Sequence, residues 1–231
     1  SVVIILVLLY ACSEKYADDK EKSQKQNLFS EISFVANQTL NIVEYNSDDY
    51  INYLNPYEEA GIITHNSMVK AVKIVVEKKS DPNSVNDEFL KLLYEKLPND
   101  LLKLNSDNLD PFEIQIEEIL FDIIINEGFN PYIAKSIFIE KIILDADCLH
   151  DNQKKRILVF STVLRYLVVG MTDINLEYVN SKGDWKDCFV QKLEDLQNCD
   201  NCYLEKVWCI FTWPQCLGFK ALDCAIDVIV N

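Results

Sequence analysis

Glycine and proline are scarce in this chain, which has five Gly and six Pro among 231 residues. All-β folds place both residue types at their many tight turns, so this scarcity argues against an all-β fold. Apolar residues make up 49% of the sequence, which is ordinary for a globular chain and excludes wholesale disorder. The composition therefore favours a helical fold that is long enough to bury a core.

Histidine is also rare, since His65 and His150 are the only two. The sequence has no His-x-x-x-His or His-Glu-x-x-His pattern, so a catalytic zinc site is not expected. It also has no Gly-x-Ser-x-Gly, phosphate-binding loop or dinucleotide fingerprint. Adjacent acids such as Glu58 and Glu59 point to different helix faces and make poor acid/base couples. We therefore predict no catalytic residues, no metal site and no cofactor.

Basic residues are few, because 22 Lys and Arg stand against 37 Asp and Glu, for a net charge of −15. A nucleic-acid-binding protein needs a basic face, so we predict no nucleic-acid partner. The same charge would repel anionic lipid. Any contact with a membrane is therefore expected through a covalent lipid.

The chain opens with an apolar run over Val2–Ala11. This run is too short to span a bilayer but fits the apolar core of a signal peptide. Because the usual basic segment and an initiator Met do not precede it, residues 1–11 are interpreted as the remnant of a signal peptide. The polar residues 12–26 that follow are predicted to form a tether.

The end of this run, Leu9-Tyr10-Ala11-Cys12, resembles the lipobox of bacterial lipoproteins. In that family the Cys receives a diacylglycerol and becomes the new N-terminus after cleavage. The resemblance implies lipidation of Cys12 and a lipid-anchored location at a bacterial outer membrane or cell surface. The alternative is an ordinary secretory signal that has a cysteine nearby by chance.

Helical periodicity dominates residues 27–175, which are predicted to form a helical domain. The first helix is expected over about 27–44. Asp110-Pro111 has the pattern of a helix start, and the apolar run that follows predicts a buried central helix, with a strand over 114–125 as the alternative. Gly128 and Gly170 are both expected to end helices.

A compact motif lies between the first two predicted helices. Its residues are Asn55, Pro56, Tyr57, Gly61, His65 and Asn66. The motif resembles one in a family of Bacteroidota-type lipoproteins, where it follows shortly after the lipidated Cys, and the resemblance implies no activity. The motif could be a ligand site that uses His65 and Asn66. We favour a structural role, in which Pro56 starts a helix and Gly61 allows close packing.

Six of the eight cysteines and all three Trp lie in residues 185–231, which we predict to be a Cys-rich subdomain. The six are Cys188, Cys199, Cys202, Cys209, Cys216 and Cys224. Export favours disulfides, although Cys199-x-x-Cys202 also has zinc-like spacing. Lipidation of Cys12 would leave an odd number of thiols. Cys148 is predicted to be the free one, because it stands alone on an apolar helix.

Together these patterns predict an all-α protein, an antiparallel helical bundle with a small disulfide-rich helical subdomain at its C-terminus. The predicted function is that of a lipid-anchored envelope lipoprotein that binds a small ligand or another envelope protein. One alternative is a carrier of a Cys-rich effector or antimicrobial-like C-terminal module. Another is an envelope hydrolase, whose carboxylates would converge only in the folded state.

Overall fold

The computed structural model describes residues 20–39, 50–78, 81, 84–102, 110–178, 185–198 and 213–230. Within these ranges the chain forms nine helices and no strand, which confirms the predicted all-α class. The helices are α1 (20–36), α2 (Glu58–Lys78), α3 (Val85–Lys96), α4 (Asn99–Leu102), α5 (Pro111–Glu127), α6 (Phe129–Asp145), α7 (Asp151–Tyr178), α8 (Trp185–Asn198) and α9 (Trp213–Val230).

Helix α7 is the centre of the bundle. It packs against α2, α5, α6 and α9, and its most extensive contact is with α2. Every residue from Ile157 to Met171 is buried. The part Asp151–Ile174 is long and apolar enough to cross a membrane, but 89% of its apolar window is buried inside the protein. A helix that neighbours cover on all sides forms the core of a bundle.

Both ends of α5 follow from local chemistry. Asp110 Oδ1 accepts a hydrogen bond from the Phe112 N–H at 3.0 Å, and Glu113 Oε2 accepts one from the Asp110 N–H at 3.1 Å. This reciprocal pair is a capping box. Gly128 ends α5 at a φ of 87°, a value that disfavours side chains. The predicted helix start and stop are confirmed, and the strand alternative over 114–125 is wrong.

Gly170 was predicted to end a helix, but it lies inside α7, which continues to Tyr178. A Cβ at this position would lie 2.5 Å from Met68 Cε and 3.0 Å from His65 Cδ2. Gly170 therefore lets α2 approach α7 closely, and this use of glycine inside a helix has no local sequence signal.

The first helix begins and ends earlier than predicted. It spans residues 20–36, and a turn follows at residues 37–38. Residues 20–26, assigned to the tether, thus belong to α1. Two contacts that sequence periodicity cannot reveal hold this helix: Lys25 Nζ pairs with Asp110 Oδ2, and the buried Lys135 Nζ donates to the Ala36 carbonyl at the other end. Predicted helical residues 40–44 lie outside the described residues.

Helices α8 and α9 are joined by a disulfide between Cys188 and Cys224, and Cys216 is disulfide-bonded as well. Cys148 is a free thiol, as expected, but it lies in the turn between α6 and α7 and not on a helix. The remaining predicted thiols lie outside the described residues; they are Cys12, Cys199, Cys202 and Cys209.

The C-terminal helices share the core of the bundle. Trp185, Phe189 and Leu222 belong to the same hydrophobic cluster as the apolar residues of α7. In addition, α8 packs on α5, and α9 packs on α2 and α3. Among the described residues, the predicted boundary before residue 185 does not coincide with a break in the core.

A buried carboxyl group lies at the contact of α5 with α7. Glu117 is almost fully buried, and its Oε2 makes no hydrogen bond among the described residues. One turn earlier, Glu113 receives two hydrogen bonds from Arg156, at 2.5 and 2.8 Å. Burial raises the pKa of Glu117 well above its usual range, the charge of Glu113 raises it further, and Arg156 only partly offsets both.

We predict that Glu117→Gln makes the protein less sensitive to rising pH. A carboxyl pKa that is raised on folding gives stability that is complete below the unfolded-state pKa of about 4.3. This stability is lost as pH rises through the folded-state pKa, because the folded state then gives up a tightly held proton. Gln imitates the protonated acid and does not titrate. In urea unfolding from pH 5 to pH 8, the variant should therefore lose less free energy of unfolding than wild type.

The control for this experiment is Glu31→Gln, which changes an exposed glutamate on α1. It should follow the wild-type dependence on pH. If Glu117→Gln lost as much free energy of unfolding between pH 5 and pH 8 as wild type, Glu117 would not be a buried acid with a raised pKa.

We also predict that the double change Cys188→Ala/Cys224→Ala destabilises the protein by about 3–4 kcal/mol, because it removes a cross-link that restricts the unfolded chain. The bridged residues are 36 positions apart, so the closed loop is long. Urea unfolding without reductant measures the loss. Cys148→Ala is the control, since this thiol is free. Equal midpoints for the double variant and wild type would contradict the prediction.

Candidate functional site

Four polar residues form a stripe along the otherwise apolar α7. Ser161, Thr162, Arg165 and Tyr166 follow the spacing of three and four residues that places side chains on one helix face. All four are buried. A buried arginine needs acidic partners, because an unpaired charge in the interior is costly. The stripe therefore marks the place where α7 must meet carboxylates.

Glu58 and Glu140 are those carboxylates. Arg165 Nη2 lies 2.7 Å from Glu58 Oε2, in the first turn of α2, and 3.3 Å from Glu140 Oε1, on α6. The side chains of Arg165 and Glu140 have no exposed surface. We call Asn52, Glu58, Glu140, Thr162, Arg165 and Tyr166 the Arg165 cluster.

Glu58 has the largest number of partners in this cluster. Its Oε2 accepts from Arg165 and from Thr162 Oγ1 at 3.0 Å, and its Oε1 accepts from the Asn52 N–H at 2.8 Å and from the Tyr166 hydroxyl at 2.9 Å. Four donors on one carboxylate satisfy its lone pairs without water. The first turn of α2 is therefore fixed to the middle of α7.

Asn52 connects the two carboxylates. While its backbone N–H donates to Glu58, its side-chain amide donates to Glu140 Oε2 at 2.6 Å. The segment before α2 is thus bonded to both acids and, through Glu140, to α6.

The charges of the cluster influence one another strongly. Burial raises the pKa of Glu140, although the charge of Arg165 lowers it in part. Burial also disfavours the charged form of Arg165, but Glu140 and Glu58 outweigh this and raise its pKa. Burial and the neighbouring carboxylate of Glu58 likewise raise the pKa of the Tyr166 hydroxyl. The cation of Arg165 is therefore retained, and Tyr166 remains a neutral donor.

This geometry favours a structural role for the Arg165 cluster. The side chains of Arg165 and Glu140 have no exposed surface, and that of Glu58 is only about a tenth exposed. A catalytic group must touch the substrate, and packed helices cover these groups. Among the residues that the structure describes, no group of three or more His, Cys, Asp or Glu could hold a metal ion.

The segment before α2 also has an exposed side, which carries apolar side chains. Tyr53 and Leu54 lie between two buried asparagines, and their exposed fractions are 85% and 67%. Asn52 Oδ1 accepts from the Leu54 N–H, Asn52 O accepts from the Asn55 N–H, and Asn55 Nδ2 donates to the Leu158 carbonyl of α7. We call residues 52–55 the Asn52 turn. It displays two large apolar side chains on a backbone that is bonded to the core.

Among the other predicted motif residues, Gly61 and His65 lie at the contact between α2 and α7. A Cβ on Gly61 would lie 2.3 Å from the Tyr166 ring, so this glycine allows the two helices to touch. His65 Nε2 lies 2.8 Å from Asp173 Oδ2. Pro56 and Asn66 are exposed, and Tyr57 is half-buried. The structure thus places some of these residues in an interface and others at the surface, and does not gather them around one ligand.

A groove of about 400 Å³ lies where α5, α6 and α8 meet. Phe129 stacks on Trp185 beside it, with ring centroids 5.4 Å apart, and Lys186 Nζ lies 5.5 Å from the centre of the Phe129 ring. Apolar side chains such as Ile125 and Val190 and charged ones such as Glu127 and Asp187 both line it. Its volume is within the range of small-molecule sites, but none of the predicted motif residues line it.

Sequence reasoning missed Asn52, Glu140 and Arg165. One signal was available, because a single Arg stands within the apolar run of α7 and such residues are rarely buried without a partner. The partners themselves have no local signal. The predicted lipidation residue Cys12 lies outside the described residues. Comparisons with family models, with curated proteins and with solved structures found no match.

We predict that Arg165→Met destabilises the protein by about 3–5 kcal/mol, because it leaves two buried carboxylates without their cation. Urea unfolding at pH 7 measures this change. Adding Glu58→Gln and Glu140→Gln to the variant should restore part of the loss, since no buried charge then remains. Lys73→Met, on an exposed ion pair of α2, should change the free energy of unfolding by less than about 0.5 kcal/mol. If Arg165→Met lowered the free energy of unfolding by no more than Lys73→Met does, the role of the cluster would be contradicted.

Proposed function

We propose that this chain is a lipid-anchored protein of the bacterial cell envelope whose helical body binds another protein. The observation that carries the proposal is the sequence Leu9-Tyr10-Ala11-Cys12, at the end of an apolar run and directly before a charged segment. Two or more acyl chains on Cys12 would hold the protein stably on a membrane. The chain itself, with a net charge of −15, has little attraction for anionic lipid, so the lipid is the membrane contact that we propose.

The disulfide between Cys188 and Cys224 supports export, because structural disulfides persist in oxidising compartments and are rare in the cytosol. The shared core of α7, α8 and α9 supports one binding body over a separable effector module.

The distribution of polar groups supports binding over hydrolysis. The buried carboxylates Glu58 and Glu140 are engaged with Arg165 and covered by helices, so they are poorly placed to act on a substrate. The Asn52 turn instead presents Tyr53 and Leu54 outward. Tyrosine is enriched at protein interfaces, where its ring contributes contact area and its hydroxyl a hydrogen bond.

The lipid anchor is tested by labelling with radioactive palmitate in a bacterial host, with the chain expressed behind an added initiator Met and a short basic segment. We expect the label to enter the wild-type protein and to be lost in Cys12→Ser. Cys148→Ser is the matched control, because it removes a free thiol elsewhere in the chain and should keep the label.

Two results would contradict this proposal. Label that survives Cys12→Ser would place the acyl group elsewhere. An unlabelled wild-type protein that retains its first residues would remove the anchor and the reason for an envelope location.

A further inference from the structure

Helices α1, α5 and α7 begin at the same end of the bundle. Lys25, in the second turn of α1, pairs with Asp110, which caps the start of α5. Gln153, in the first turn of α7, donates to the same Asp110 carboxylate at 2.9 Å. Helix α6 finishes at this end, because Lys154 of α7 donates to the Leu144 carbonyl at 2.9 Å. We call the end of the bundle that these five residues form the Asp110 end.

The opposite end of the bundle is far from this one. Helix α7 begins at the Asp110 end and has 28 residues, so it extends about 42 Å. Helix α5 leaves the Asp110 end and, with 17 residues, runs about 25 Å to Gly128, where α6 begins. The groove between α5, α6 and α8 includes Gly128 in its lining, so it lies away from the Asp110 end.

The start of α1 points away from the groove. Lys135 of α6 donates to the carbonyl at the last residue of α1 and also pairs with Glu127 at the end of α5. Helices α1 and α5 therefore run in the same direction. Residue 20, where α1 begins, comes before Lys25 in the sequence and thus lies at the outer side of the Asp110 end.

The chain between Cys12 and α1 is short. About eight peptide units join Cys12 to residue 20, and a fully extended chain covers about 3.5 Å per residue, so the two are at most about 28 Å apart. If the opposite end of α7 touched the membrane, residue 20 would stand about 42 Å above it. This height exceeds the reach of the chain. An acylated Cys12 therefore excludes the inverted orientation.

The charge of the protein opposes a body that lies flat on an anionic membrane. The chain has a net charge of −15, and anionic headgroups repel a surface of the same sign. Because the chain holds only the Asp110 end near the lipid, this repulsion moves the other end away from it.

We propose that the anchored protein stands on the membrane with its Asp110 end toward the phospholipid headgroups and the groove between α5, α6 and α8 on the side away from them. This inference rests on the proposed function and names the surface that faces the lipid. The short reach of the chain before α1 sets the orientation, and the acidic body maintains it. A partner of the protein would then approach the groove from the aqueous side.

The test uses the full lipidated chain in vesicles of phosphatidylethanolamine and phosphatidylglycerol that carry an energy-transfer acceptor on their headgroups. An azide-bearing amino acid replaces Asp147 in one variant and Asn130 in another, and a donor fluorophore with a short transfer range is coupled to each. The two positions are matched, because both are exposed and they lie beside opposite ends of α6. Transfer at position 147 should be at least about twice that at position 130, since α6 separates them by about 22 Å.

A longer tether tests the cause of the orientation. An insertion of about twenty Gly and Ser residues after Lys15 lets the chain reach further than the bundle is long, so transfer at the two positions should become more similar. The control replaces residues 16–19 by the same number of Gly and Ser residues. It keeps the length of the chain and should keep the ratio of the two transfer efficiencies.

Equal transfer at the two positions, or higher transfer at position 130, would overturn the inference while the palmitate label remained. A ratio that the insertion leaves unchanged would also overturn it, because the reach of the chain would then not set the orientation. Failure of the proposed function gives a different result. A protein without an acyl chain would show no palmitate label and no transfer at either position, as expected for Cys12→Ser.

Discussion

The guanidinium of Arg165 is the charge around which the bundle is assembled. Arginine does not lose its proton inside proteins, so folding must bring acids to it. Those acids are supplied by the first turn of α2 and the middle of α6, and α7 supplies the cation. A buried ion cluster adds little net stability compared with apolar packing, but losing one partner is costly. Its effect here is to fix which parts of three helices meet.

The same cluster explains why the Asn52 turn is ordered although it lies at the surface. Asn52 donates through its backbone to Glu58 and through its side chain to Glu140. A turn held only by its own residues would exchange between conformations, since few contacts would oppose its entropy. Here the buried charges and the exposed pair Tyr53 and Leu54 belong to one connected set of hydrogen bonds.

Local sequence rules predicted the parts of the fold that depend on neighbours in the chain. Asp110-Pro111 gave the start of α5, Gly128 gave its end, and the apolar run of α7 indicated a buried helix. These signals act within a few residues, so the sequence alone reveals them. Gly170 was misread because its role depends on Met68 and His65, which approach it from another helix. The early start of α1 was missed because Lys25 pairs with a residue 85 positions away.

The candidate site shows the same division. The segment around Asn55 stood out in the sequence, but Asn52, whose bonds join it to both acids, was not identified. Arg165 could have been noticed as a lone cation in an apolar helix. Its partners could not have been chosen, because the chain has 37 acidic residues and only the fold selects two of them.

The distance along the chain between Glu58 and Arg165 has a consequence for how the protein reaches its native state. The two residues are 107 positions apart, and Glu140 lies between them. Any fragment that stops before α7 contains Glu58 and Glu140 but lacks the cation of Arg165, so it has no stable way to bury the two carboxylates. Stable packing of α2 and α6 therefore requires most of the polypeptide, including α7. This chain is expected to fold late and as a whole.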